Sequence, residues 1–234
     1  MKRTSIALGL FLLLMQLSAI ASNRVALVIG NSQYADNLGS LMNPVNDAMD
    51  ISKKLKGFGF EVTTLKNATQ HKMDDAISLF GQRISKDGVI GLFYFAGHGV
   101  QVKGENYLIP IGSGITSEAD VKYKAVNAGQ ILSQMDQANN GFNLVILDAC
   151  RNNPFGRSFR SVSRGLARMD APSGSLIFYA TKPGQVAQDG AGRNGVFTEQ
   201  LLKSMNDNLK IEDIFKDVAV KVSNKTNKEQ EPWM

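Results

Sequence analysis

Short, almost wholly apolar runs alternate with stretches whose apolar residues recur at helical spacing, the pattern of βαβ units built on a largely parallel sheet. Arg24–Gly30 (RVALVIG) is the first such run and predicts a buried strand. A polar loop follows, and then a helix over about Val45–Lys56. Gly57 and Gly59 end it, Glu61–Leu65 gives a second strand, and Thr69 is placed to cap a helix running to Ile84. Val89–Ala96 (VIGLFYFA) is the third strand, and the segment from Val100 to Ile109, with Lys103-Gly104 at its centre, predicts a small hairpin. A helix near Asn127–Met135 leads to Asn143–Asp148 (NLVILD), the fourth strand, and Ser175–Ala180 is the fifth. Helices over Val196–Met205 and Ile211–Val222 close the chain, so the fold class is α/β.

The start of the chain departs from this alternation. Lys2 and Arg3 precede an apolar run, Ile6–Met15, and small residues stand at Ala19 and Ala21. These are the three parts of a secretory signal peptide, with cleavage expected after Ala21 and the product periplasmic or secreted. An uncleaved anchor is the alternative, but a span needs about 20 apolar residues, and no later segment is long and apolar enough either. Residues 22–234 then form one domain. Losing Lys2 and Arg3 lowers the formal charge from +5 to +3, too mild a balance to point to nucleic acid or an anionic membrane as partner.

Cys150 is the sole cysteine, so no disulfide forms within the chain, and a lone thiol in an exported protein signals either burial or chemistry. It follows the fourth strand, at the carboxyl edge where open α/β sheets bind ligands. His98 follows the third strand on the same edge, between Gly97 and Gly99, which allow a sharp turn and close approach of the main chain to a substrate. The only other histidine, His71, falls near a helix start and reads as a surface residue. If the two strands are neighbours, the imidazole can take the thiol's proton, and the N–H groups of Gly99 and Cys150 are candidates to bind the oxyanion of an acyl transfer.

Two segments make the reading specific. Tyr94–Gly99 (YFAGHG) and Leu147–Phe155 (LDACRNNPF) resemble the two catalytic signatures of caspase-like peptidases, above all the bacterial metacaspase-like members of peptidase family C14. The separation of 52 residues agrees with the spacing of about 50 in caspases. The resemblance runs from Arg24 to about Phe197 and takes in Leu41–Asp47 (LMNPVND). It implies a three-layer caspase-like fold with a mostly parallel sheet of about six strands, and a cysteine endopeptidase with His98 and Cys150 as its dyad.

Asp148 stands where animal caspases carry Gln, and Asn152 where they carry Gly. Alternate strand residues share a face, so Asp148 is expected to line the pocket beside Cys150. Asp47, placed in a loop after the first strand, is similar to a second acidic pocket residue of metacaspases. Two carboxylates suit a guanidinium or ammonium group, which implies protein or peptide substrates cut after Arg or Lys. The structural alternatives are that Asp148 orients a loop or His98, and that Asp47 is a charge favoured at a helix amino end.

The arginine-rich stretch of about residues 151–172 reads as an exposed linker between the two halves, or, given specificity for Arg, as a site of self-cleavage. The pattern Gly190-x-Gly192-x-x-Gly195 is not preceded directly by a strand, so it reads as a loop and not as a dinucleotide site. No metal-ligand spacing or cofactor motif is present; some metacaspases need calcium, but only ordinary surface carboxylates are available here. The C-terminal segment either packs on the sheet or serves a homodimer. Two other functions share these residues: a catalytically silent binding or signalling module, and a thiol hydrolase or transferase that does not cut proteins.

Overall fold

A computed structural model describes residues 23–34, 38–149, 165–183, 185–206 and 208–234. The signal-peptide reading of residues 1–21 and the placement of Cys150 therefore lie outside the described residues.

The central sheet has five parallel strands: β1 (Arg24–Gly30), β2 (Glu61–Lys66), β3 (Ile90–Ala96), β7 (Phe142–Asp148) and β8 (Ser175–Tyr179), in the order β2-β1-β3-β7-β8. The near-continuous apolar character of β1, β3 and β7 follows from burial on both faces, whereas the edge strand β2 (EVTTLK) is only partly buried. The even-numbered residues of β3 and β7, among them Leu92, Tyr94, Leu144 and Ile146, face α1 (Pro44–Gly57), α5 (Val196–Ser204) and α6 (Ile211–Lys225). Phe178 of β8 packs against Phe197 and stacks on Phe215 with ring centroids 4.0 Å apart. The opposite face meets α2 (Gln70–Ile84), against which α4 (Gly129–Ala138) packs.

About six strands were expected, and the described residues supply five. The sixth position is taken by one antiparallel bridge, in which Tyr179 and Trp233 exchange backbone hydrogen bonds of 3.0 and 3.2 Å. The indole stacks on the Tyr179 ring at 4.7 Å, so the C-terminal segment packs on the sheet edge.

A second, antiparallel sheet joins β4 (Gly99–Val102), β5 (Glu105–Leu108) and the two-residue β6 (Val126–Asn127). Lys103 and Gly104 both take positive φ, 52° and 85°, the geometry a two-residue hairpin turn needs. Beside this sheet lies α3 (Glu118–Lys124), which the pattern did not predict; Ser117 and Asp120 close a capping box at its start. Thr69 does stand at the N-cap of α2, but its side chain makes no capping bond.

Strand order reverses between β1, which leads outward to β2, and β3, which leads the other way to β7 and β8. Crevices of open α/β sheets form at such a point, between the loops leaving the two strands. Here the described residues of those loops are 31–34, 38–43 and 97–98. Gly30 is required at the first exit, because a Cβ there would lie 2.2 Å from the Pro44 carbonyl oxygen as α1 begins.

Candidate active site

β3 and β7 are direct neighbours, with Ala96 in register with Asp148. Beyond the strand, the Gly97 N–H donates to the Asp148 carbonyl at 3.2 Å. Gly99 then passes so close to the next residue of β7's exit that a Cβ would fall 2.6 Å from the Ala149 oxygen and 2.9 Å from its Cβ. His98 thus lies between two residues that touch the chain immediately ahead of Cys150.

The imidazole is buried, and its Nε2 lies 2.9 Å from the carbonyl oxygen of Gly39. A carbonyl only accepts, so Nε2 carries the proton and, in the neutral ring, Nδ1 holds the lone pair. Tyr34 comes from the same loop. Its hydroxyl accepts from the His98 N–H at 2.9 Å and donates to the Ile109 carbonyl at 3.1 Å, while its ring packs on the imidazole at a centroid distance of 4.5 Å. A side chain at Gly97 would meet that hydroxyl at 2.5 Å, so the glycine ahead of His98 is there for the tyrosine.

Gly99 pairs with Leu108, but the His98 carbonyl accepts from the Ile109 N–H at 2.9 Å, which makes Gly99–Leu108 a pair that exchanges no hydrogen bonds. The Gly99 N–H therefore points away from β5, as a donor to a developing oxyanion must.

Both acidic residues are fully buried. Asp47 is not in a loop: Pro44 starts α1 three residues earlier, which puts Asp47 within the helix. Its Oδ1 accepts from the Gly195 N–H at 3.0 Å, and Gly195 is the N-cap of α5. Asp148 Oδ2 accepts from the Thr198 hydroxyl at 2.9 Å, and Thr198 Oγ1 lies 2.6 Å from Tyr94 Oη. Thr198 has one proton and gives it to the carboxylate, so the tyrosine donates to Thr198. Sequence positions 101 residues apart thus meet at the amino end of one helix, whose dipole favours negative charge there.

The glycine-patterned loop is stapled to α1. Asp50 holds Arg193 through two bonds of 2.8 and 3.0 Å and Asn194 through a third of 3.0 Å. The Arg193 hydrogen bond is the main reason that the Asp50 carboxyl sits below the usual carboxylate range, against the opposing effect of burial. Asp189 accepts from the Met42 N–H at 2.8 Å, and its carbonyl takes the Asn43 side chain, which is why Asn43 does not cap α1. Gly190 needs its positive φ of 73°, and Gly195 supplies the N–H that Asp47 binds.

The expected linker differs from expectation at its end. Residues 151–164 lie outside the described residues, but Leu166 is buried against Gly99. The Asn106 side chain clamps Ala167 from both sides, with two bonds of 2.7 Å, and the Met169 N–H donates to the Tyr179 hydroxyl at 3.0 Å. The side chains of Arg168 and Asp170 remain exposed there. His71 is a surface residue, 3.5 Å from Asp75.

Residues 23–234 match the caspase-domain model of peptidase family C14. The chain belongs to the caspase-domain family. Among curated proteins, this caspase-domain chain is 28% identical over 206 residues to human mucosa-associated lymphoid tissue lymphoma translocation protein 1, covering 86% of this chain and 24% of that one. The mouse homologue gives 28% over 206 residues, with 86% and 23% covered, so the chain spans about a quarter of the length of these relatives. Solved structures show the shared fold: the Drosophila initiator caspase Dronc (TM-score 0.65, 14% identity, 91% of this chain and 79% of that one) and a Geobacter sulfurreducens protein (0.66, 19%, 90% and 91%). Caspase-1 of Spodoptera frugiperda superposes similarly (0.64, 16%, 90% and 87%). At family level, therefore, this is a peptidase domain of the caspase type.

Proposed function

We propose that this caspase-domain protein is an exported cysteine endopeptidase that cuts after Arg or Lys, using His98 as base and Cys150 as nucleophile. The observation that carries the reading is the contact of Gly97 and Gly99 with Asp148 and Ala149, which brings His98 to the residue preceding the thiol. A free thiol has a pKa of about 8.5 and is mostly protonated at neutral pH, so an imidazole with its lone pair on Nδ1 is the group needed beside it.

In the first step Nδ1 takes the thiol proton and the sulfur attacks the substrate carbonyl. The oxyanion is held by the N–H groups of Gly99 and Cys150. His98 then passes its proton to the leaving amine, the peptide bond breaks, and an acyl-enzyme remains. Water, deprotonated by the same nitrogen, releases the acid and regenerates the thiol.

Buried carboxylates at positions 47 and 148 favour a basic side chain in the adjoining pocket, with Arg preferred because its planar fork can meet two carboxylates. Export rests on the leader of residues 1–21. Self-cleavage is proposed upstream of Gly165, because a cut after Arg168 would have to strip Leu166 from its burial and Ala167 from Asn106.

The test is hydrolysis of fluorogenic peptides differing only at the residue before the cut (Arg, Lys, Asp, Ala), with protein starting at Ser22 and its Cys150→Ala variant, with and without calcium. Arg or Lys cleavage lost in the variant supports the reading. A preference for Asp would keep the peptidase and reject the acidic pocket. No turnover of any peptide would favour the silent binding module.

A further inference from the structure

Resting on the dyad reading above, we infer that Tyr34 is a positioning residue for His98: it holds the imidazole in place in the Nε2–H tautomer, so that Nδ1 keeps the lone pair a base needs. Most backbone N–H groups in this region are bonded by neighbouring strands, but that of His98 is held by a side chain, the Tyr34 hydroxyl, at 2.9 Å. The same hydroxyl donates to the Ile109 carbonyl at 3.1 Å, and the Ile109 N–H returns to the His98 carbonyl at 2.9 Å. One oxygen therefore completes a ring of hydrogen bonds that fixes the His98 backbone to the start of the second sheet.

The aromatic ring does the rest. Its centroid lies 4.5 Å from that of the imidazole, tilted by 53°, so it walls one side of the histidine and limits rotation about the side-chain torsions. The Gly39 carbonyl that receives Nε2–H belongs to the same loop, five positions further on, and Ser40 returns a hydroxyl to the Tyr34 carbonyl at 3.5 Å. Tyr34 thus sets both the histidine and the acceptor that selects its tautomer. Gly97 is the spatial cost of this arrangement, since any side chain there would displace the hydroxyl.

Tyr34→Phe keeps the ring and deletes the oxygen. Misplacing a base by a fraction of an ångström lowers kcat by about tenfold to a hundredfold while KM, set by the acidic pocket, stays within about twofold. Two readouts do not depend on turnover. With only two histidines in the chain, ¹⁵N-histidine spectra separate His98 from the exposed His71 and report the tautomer directly. Wild type should show a single Nε2–H form for His98 and the variant a mixture, with His71 unchanged in both. Amide exchange at His98 should speed at least tenfold in the variant while Leu92 in mid-β3 is unaltered.

Unchanged kcat with a single Nε2–H tautomer overturns the inference, as does a rise in KM alone, which would make Tyr34 a substrate contact. If wild type cleaves no peptide, the endopeptidase reading fails separately, and the tautomer and exchange results still decide whether Tyr34 sets His98. Should Tyr34→Phe fail to fold, wild type decides: a fast-exchanging His98 amide or an Nδ1–H tautomer refutes the assignment.

Discussion

Thr198 is the hinge of a directed chain, Tyr94 Oη to Thr198 Oγ1 to Asp148 Oδ2, with both links buried. Thr198→Val keeps the branched shape and deletes only the hydroxyl. Asp148 then loses a hydrogen bond to a charged group, about 1.5–3 kcal/mol, and the Tyr94 hydroxyl loses an acceptor, about 1 kcal/mol more. The sum is about 3 kcal/mol, which for a domain of this size lowers Tm by about 6–12 °C. Thr198→Ser supplies the control: it keeps the hydroxyl and removes one methyl, at about 1 kcal/mol. Thermal and urea unfolding of the three proteins measure the ranking. The variant also predicts a shift in function. With the Asp148 carboxylate no longer held by Thr198, turnover of Arg peptides should fall more than that of Ala peptides. A Thr198→Val protein as stable as Thr198→Ser would refute the directed chain, whatever its activity.

Gly30→Ala forces a methyl group to within 2.2 Å of the Pro44 carbonyl oxygen and should cost about 1–3 kcal/mol in urea unfolding, with α1 the first element to lose amide protection. Asp50 is held below its ordinary carboxyl value in the folded protein, so the Arg193 clamp contributes stability in full above the unfolded value of about 3.9 and loses it as pH falls through the lower folded value. The difference in Tm between wild type and Asp50→Asn should therefore be constant near neutrality and shrink in acid; a pH-independent difference would reject the clamp. Self-processing should give new amino termini upstream of Gly165 only, read by mass spectrometry. Arg168→Ala should leave that pattern unchanged, whereas Asn106→Ala, which frees Ala167, should expose a cut after Arg168.

The five strands were legible to within a residue: in the central ones burial on both faces leaves uninterrupted apolar runs such as Ile90–Ala96, and the partly buried edge strand β2 shows as a short β-branched run after Gly57 and Gly59. The edge chemistry was legible for the same reason: two strands that end at residues 96 and 148 announce where His98 must sit. Elements with little to bury left no periodic trace. In α3 only Val121 is buried, and β6 has two residues, though the Ser117–Asp120 pair was a local signal that could have revealed the helix. Asp47 was read as a loop residue because its partner, the Gly195 N–H, lies 148 positions away, and no local pattern marks such a contact. Tyr34, Gly39 and Asp189 escaped for the same reason: a tyrosine in a polar loop looks like any other until the fold brings His98 beneath it.

The loop that carries Gly39 continues to Met42 and Asn43, and both of these are bound by Asp189. Through that junction, the segment beside the buried carboxylate of Asp47 and the segment that holds the His98 ring form one mechanical piece. Insertions or substitutions between residues 185 and 195 that disturb Asp189 would also move the Gly39 carbonyl that accepts from the histidine. On the proposed function, selectivity and turnover would be inherited together: a lineage changing its diet of substrates would have to preserve Asp189 or find a replacement tether for the loop above His98.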